Sequence, residues 1–119
     1  MPRVAVCGSR EFADEALLWH CLDRLGDRFG GPFEVVSGGA RGADALGEDY
    51  AVRRGLLLSR FPALWRSLGK QAGMARNLSL LWRATHVVAF WDGRSPGTRA
   101  MLGQAKAEGV PVWLPRRED

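Results

Sequence analysis

The sequence predicts an α/β fold: a single Rossmann-like three-layer domain over residues 1–119, with about five parallel strands in the order 3-2-1-4-5 and helices on both faces. Three observations lead there. Short β-prone runs alternate with helical periodicities along the chain. The runs lack the apolar–polar alternation of a half-wet strand, as expected when both sheet faces are covered. Glycine-rich turns follow several of these runs, where ligand loops stand at the carboxyl edge of a parallel sheet. At 119 residues, 46% of them hydrophobic, the chain matches the commonest domain size and can build a core without metal or disulfide staples.

Taken in order, Arg3–Cys7 is the first strand and stops at Gly8-Ser9-Arg10. From Phe12 to Phe29, Leu18, Leu22, Leu25 and Phe29 recur at helical spacing, and Asp14, Asp23, Arg24 and Arg28 mark the wet face. Gly30-Gly31-Pro32 ends this helix, and Phe33 to Ser37 is the second strand. The stretch Ser37-Gly38-Gly39-Ala40-Arg41-Gly42-Ala43-Asp44 is a tight loop running into a helix N-terminus. The second helix buries Ala43, Leu46 and Tyr50, reaches Arg54 and stops at Gly55. Leu56 to Arg60 is the third strand, and a long connection to Gly69 is of the kind that usually carries function. Lys70 to Arg83 is the third helix, with Met74, Leu78 and Leu81 on one face; a stripe of Leu78, Leu81 and Trp82 is wide enough for a dimer surface, with core packing its expected role. His86 to Trp91 reads as a buried strand, followed by the second glycine-rich loop, Asp92 to Thr98. A helix from Thr98 to Glu108, Gly109, a last strand from Val110 to Leu114 and a charged tail complete the chain.

Composition narrows the function. The net charge of +4 is almost wholly arginine, with Lys70 and Lys106 the only lysines, and arginine recurs beside the turns at Arg10, Arg41, Arg94 and Arg99. That balance permits nucleic acid binding without demanding it. Cys7 and Cys21 lie in apolar or helical patterns with no CxxC spacing, as small buried thiols of a reducing compartment do. No apolar run reaches the ~18 residues of a membrane span, so the expectation is a cytoplasmic protein without a membrane partner.

Several chemistries fit poorly. The first loop lacks G-x-G-x-x-G, and the second strand ends in Ser37-Gly38-Gly39 where a dinucleotide fold places an acidic residue. Gly69-Lys70 is followed by Gln71, not Ser or Thr, so it is no P-loop. His20 and His86 have no ligand partners at metal spacing, so no metal is expected, nor any cofactor. No histidine is expected near Ser9, Ser37 or Ser95 to act as a base. What fits is anion binding. Gly8, Ser9 and Arg10, then Ser37, Gly38, Gly39, Arg41, Gly42 and Asp44, then Asp92, Gly93, Ser95, Gly97 and Thr98 follow strand ends and should meet on one rim. Amides of Gly8, Ser9, Gly97 and Thr98 would take a phosphate, Gly39 and Arg41 a second anion or the sugar, and Trp65 or Trp91 could stack on a base.

The blocks Val-Cys-Gly-Ser-Arg at 6–10, Ser-Gly-Gly-Ala-Arg-Gly-Ala-Asp at 37–44, Gly-Lys-Gln-Ala-Gly with Arg-Asn at 69–77, and Ala-Phe-Trp-Asp-Gly-x-Ser-x-Gly-Thr at 89–98 resemble the signatures of the SLOG superfamily. The similarity spans nearly the whole chain and is strongest to the YspA and YpsA-related branch. The superfamily also holds the LOG phosphoribohydrolases, the molybdenum-cofactor carrier proteins and the Rossmann domain of DprA. The resemblance implies a Rossmannoid fold that binds a nucleotide or nucleotide-derived ligand as a sensor or processing domain. It adds Lys70, Arg76 and Asn77 to the ligand-binding set and suggests a homo-oligomer.

Enzymatic activity is left open by one departure from the pattern. LOG enzymes carry a catalytic glutamate three residues after the threonine matched by Thr98, where this chain has Met101. Asp44 and Asp92 are the remaining carboxylates that could stabilise an oxocarbenium-like ribose during N-glycosidic hydrolysis. Single-stranded nucleic acid, bound as the likeness to DprA suggests, is the alternative partner.

Overall fold

A computed structural model describes residues 1–63 and 71–116. Five strands form one parallel sheet: β1 (Arg3–Gly8), β2 (Glu34–Ser37), β3 (Leu58–Arg60), β4 (His86–Phe90) and β5 (Val112–Trp113). Their order is β3-β2-β1-β4-β5. The four helices are α1 (Glu15–Phe29), α2 (Ala43–Arg54), α3 (Ala72–Arg83) and α4 (Pro96–Ala107). Chain direction across the sheet reverses between β1 and β4, which pair in register from Val4↔His86 to Gly8↔Phe90. Fold class and strand order are those the sequence predicts.

The two-residue period of β1 divides the core. Val4 and Val6 point to the side of α1 and α2, joining Leu18, Leu22, Tyr50 and Ala51. Ala5 and Cys7 point the other way and meet Leu80, Leu81, Met101 and Ala105 of α3 and α4. Helices therefore cover both faces, two on each, as right-handed crossovers require.

Several boundaries move for identifiable reasons. Helix α1 starts at Glu15, three residues later than the apolar spacing suggests, because the Asp14 carboxylate accepts from the Leu17 amide at 3.1 Å and caps it. Strand β3 starts at Leu58, not Leu56, because the Leu56 amide is spent on the Ala51 carbonyl at 2.9 Å, closing α2. Helix α4 starts at Pro96, two residues early, with proline in the first turn, where its missing N–H costs nothing.

Helix α3 is also rotated from expectation. Met74 is 63% exposed and Trp82 71% exposed, while Ala72, Asn77, Leu80 and Leu81 are buried. Leu81 is thus core, and the stripe of Leu78, Leu81 and Trp82 is not one surface. Among the described residues, no helix is long and apolar enough to cross a membrane.

Candidate functional site

The end of β1 lies so close to β4 that only glycine fits at position 8. A Cβ there would sit 2.4 Å from the Phe90 carbonyl oxygen and 2.9 Å from the Ala43 methyl. The next residue joins all three loops. The Ser9 amide donates to Phe90 O at 3.1 Å, and the Ser9 carbonyl accepts from the Phe12 amide at 3.1 Å and the Ala43 amide at 3.4 Å. Its hydroxyl accepts from the Asp92 amide and from Ser95 Oγ, each at 3.1 Å. Ser9 is 4% exposed. Its amide is therefore committed within the protein, contrary to the expectation that it donates to a phosphate.

Asp92 has a similar internal duty. Its carboxylate accepts from the amides of Arg94 and Ser95, both at 2.8 Å, and these bonds hold it below the usual carboxylate range. It shapes the turn after β4 and is not among the residues that line the cavity described below. Gly93, at φ +81°, has open space around it.

The loop after β2 is held from beneath. Ser37 is fully buried; its hydroxyl donates to Glu48 Oε2 at 2.6 Å and accepts from the Gly39 amide at 3.1 Å. Glu48 in turn pairs with Arg60 at 2.7 Å. Gly42 packs on the first loop, at φ +79° and with no room for a Cβ beside the Ser9 and Arg10 carbonyls. In the first turn of α2, Asp44 is 5% exposed and accepts from the Ala40 amide at 3.2 Å. Burial pushes its carboxyl up to about 6, against the opposing pull of that amide and of Arg76.

These loops and α3 enclose a cavity of about 540 Å³ beyond the carboxyl ends of β1 and β4. Of the residues expected to meet a ligand, Gly8, Arg10, Gly38, Asp44, Arg76, Asn77, Ser95, Gly97 and Thr98 line it. Arg76 donates to the Gly38 carbonyl at 2.6 Å and to Asn77 Oδ1 at 2.9 Å. Because α4 begins at Pro96, the amides of Gly97 and Thr98 have no intrahelical acceptor, and Ser95 makes no side-chain cap. Thr98 is 6% exposed, and its hydroxyl has no hydrogen-bond partner among the described residues. Cys7 also borders the cavity, but burial pushes its thiol far up, so it is an inert wall.

Gly39 and Arg41 lie outside this cavity. They line an adjoining recess of about 400 Å³ with Arg10, Gly38, Ala40, Pro62, Ala63 and Arg76. Arg41 pairs with Glu11 at 3.0 Å. Ser9, Asp92 and Trp91 line a separate hollow of about 360 Å³ with Phe12 and Phe90. Trp91 is anchored there by donation to Ser95 O at 3.1 Å, with the Arg99 guanidinium 5.6 Å from its ring centre, so it does not stack in the main cavity. Lys70 and Trp65 lie outside the described residues. His86 packs on Phe29 with ring centres 5.1 Å apart, and no metal-binding cluster occurs among the described residues.

Gln104 was not singled out in the sequence, and Met101 was named only as the residue in place of the LOG glutamate. Gln104 accepts from Asn77 Nδ2 at 2.8 Å and donates to Met74 O at 3.3 Å, bridging α3 and α4. Met101 forms an apolar wall of the cavity and is 4% exposed. Thr98, Met101 and Gln104 recur every three residues, so the helical spacing that marks Thr98 was the signal for both.

An open parallel sheet with uncapped helix amides and arginines around a cavity at its topological switch point defines a Rossmann-like α/β domain. Within that class, the chain belongs to the YspA, cpYpsA-related SLOG family, whose model matches residues 2–67. It is 37% identical over 120 residues to the Gene 61 protein of Mycobacterium phage D29, an alignment covering 94% of each chain. No solved structure matches it.

Proposed function

We propose that the chain binds a nucleotide or nucleotide-derived ligand in the cavity beyond β1 and β4, with a phosphate seated on the N-terminus of α4. The observation that carries this reading is Thr98: a hydroxyl with no protein partner among the described residues, open to a cavity of ligand size beside two uncapped amides. A phosphate supplies acceptors to both amides and the hydroxyl, and the helix dipole favours its charge. Arg10 and Arg76 add positive charge on the cavity wall. Membership of the SLOG family supports the same ligand class.

Titration of the protein with the four common nucleoside 5′-monophosphates tests this. At least one should bind, and Thr98→Val, which keeps the shape and removes the hydroxyl, should weaken it about tenfold. Absence of binding by all four, or equal affinity in the variant, contradicts the phosphate placement.

A second reading rests on Asp44. A buried carboxyl titrating near 6 at the cavity wall is suited to exchange a proton near neutral pH. In N-glycosidic hydrolysis, a water would attack the anomeric carbon and give its proton to Asp44. The bond to the base would break with its electron pair leaving on the base nitrogen, which solvent protonates. Met101 can supply no acid in that step. Incubation with the bound nucleotide decides it: release of free base, abolished by Asp44→Asn, supports turnover, and an intact ligand supports a sensor.

A further inference from the structure

The chemistry of the cleft changes along its length. The main cavity and the arginine-lined recess share Arg10, Gly38, Ala40 and Arg76, so they are two lobes of one opening. At one end stand the amides of Gly97 and Thr98. Asp44 borders the first lobe only, its carboxylate accepting at 3.2 Å from the Ala40 amide where the lobes join, and it is mostly ionised at neutral pH with a carboxyl titrating near 6. At the other end stands Arg41, with Arg10 and Arg76 where the two lobes meet; no carboxylate lines the second lobe, and Glu11, which borders the first, pairs with Arg41.

These three regions call for different partners. A carboxylate repels a phosphate and accepts from hydroxyls, so the middle of the cleft suits a sugar. The arginine lobe then remains unmatched by any ligand with a single phosphate on α4. Its cations are available. Arg76 is fixed by its two internal bonds, which leave one edge of the guanidinium unused. Arg10 has no carboxylate partner among the described residues. The Arg41–Glu11 pair is 73% and 83% exposed, and an exposed pair of that kind yields to a competing anion at little cost.

We propose that the cleft takes a ribose unit with anionic groups at two separate positions, one on each side of the sugar, in preference to a nucleoside monophosphate. This rests on the nucleotide reading above and specifies its ligand. Two phosphates joined in one chain would not meet it, because both charges would fall on the same side of the hydroxyls facing Asp44.

Calorimetric titration at one fixed salt concentration, with the 5′-monophosphate, 5′-diphosphate and 3′,5′-bisphosphate of each common ribonucleoside, tests the order of sites. For at least one base, the bisphosphate should bind about tenfold or more tightly than the monophosphate, as a charge-assisted pair contributes, while the diphosphate gains less than about threefold. In Arg41→Ala the bisphosphate-to-monophosphate ratio should fall below about threefold. A bisphosphate no better than the monophosphate, a diphosphate that equals it, or a ratio undiminished in Arg41→Ala overturns the two-ended ligand and leaves the nucleotide reading standing. Failure of every nucleotide to bind overturns both.

Discussion

The Arg76 guanidinium donates to the Gly38 carbonyl at 2.6 Å, tying helix α3 to the loop after β2 at the mouth of the cleft. The tie continues through Asn77 to Gln104, so a relay of polar side chains crosses from that loop to α4. Hydrogen bonds thus connect the walls of the cleft, and coupling between them is the expected consequence.

Gly38→Ala tests that coupling. A Cβ at position 38 would lie 2.4 Å from Arg76 Nη1 and 2.9 Å from its Cζ, and the flexible side chain must swing away. Nucleotide affinity should fall about tenfold, the value of one charge-assisted hydrogen bond, with only a modest drop in melting temperature. Titration and thermal melting of the same preparation check it; unchanged affinity would remove Arg76 from the binding surface.

Gly42→Ala and Gly93→Ala make a matched pair. Both glycines sit near φ +80°, at +79° and +81°, but a Cβ at 42 meets the Ser9 carbonyl oxygen at 2.4 Å and one at 93 meets nothing within 4 Å. Gly93→Ala should cost only the backbone conformational penalty, about 1–2 kcal/mol. Gly42→Ala should cost roughly 3 kcal/mol or more, because backbone must move. Urea midpoints at constant slope read the difference, and equal losses would mean that the two loops are not packed as described.

Stability should depend on pH through Asp44. Its folded carboxyl titrates near 6, above the ordinary 3.8, so the folded state holds the extra proton between those values. Stability from this group is therefore full at low pH and is lost as pH rises through 6, by about 3 kcal/mol at most. Asp44→Asn should be more stable than the parent at pH 7.5, and the difference should shrink toward pH 4. Glu34 works in the opposite sense. Hydrogen bonding from Arg83 lowers its titration, so its contribution is present above about 4.5 and fades as pH falls through its folded value. Comparing melts of parent and Asp44→Asn across pH isolates the first effect; a gap that does not narrow toward pH 4 contradicts it.

Salt dependence separates a small ligand from a strand. A nucleotide held by one phosphate site should lose affinity mildly between about 50 and 200 mM salt, whereas a single strand neutralised at several phosphates should lose it steeply. Equilibrium titration with a nucleotide and with a short oligonucleotide checks both. A steep oligonucleotide response with tighter binding than any mononucleotide would favour nucleic acid as the partner.

Much of the fold was legible in the sequence, because buried parallel strands and helix stops leave strong local marks. The runs Val4–Cys7 and Val87–Phe90 are apolar on both sides, and glycines 30 and 55 end α1 and α2 in left-handed caps. The loop composition also indicated which turns converge at the carboxyl edge. Less legible was what faces inward. Helix α2 lies so close to β1 that a Cβ on Gly47 would meet Val6 at 2.8 Å, so its buried side is paved with Ala43, Gly47 and Ala51 and carries Asp44 inward. An apolar stripe cannot report such a face. On α3 the polar Asn77 is buried and Met74 exposed, because the bonds to Arg76 and Gln104 satisfy the amide. Ser9 and Asp92 have ligand-site composition but spend their polar atoms on holding loops together, a distinction that only tertiary geometry makes.

The most direct test of the central claim is amide chemical-shift mapping of the isotope-labelled protein during titration with a nucleoside 5′-monophosphate. Binding on the N-terminus of α4 predicts the largest changes at Gly97 and Thr98, with further changes at Gly8 and Gly38. Changes confined to the hollow of Phe12 and Trp91 or to the outer faces of α1 and α2, or no change at saturating nucleotide, would contradict it.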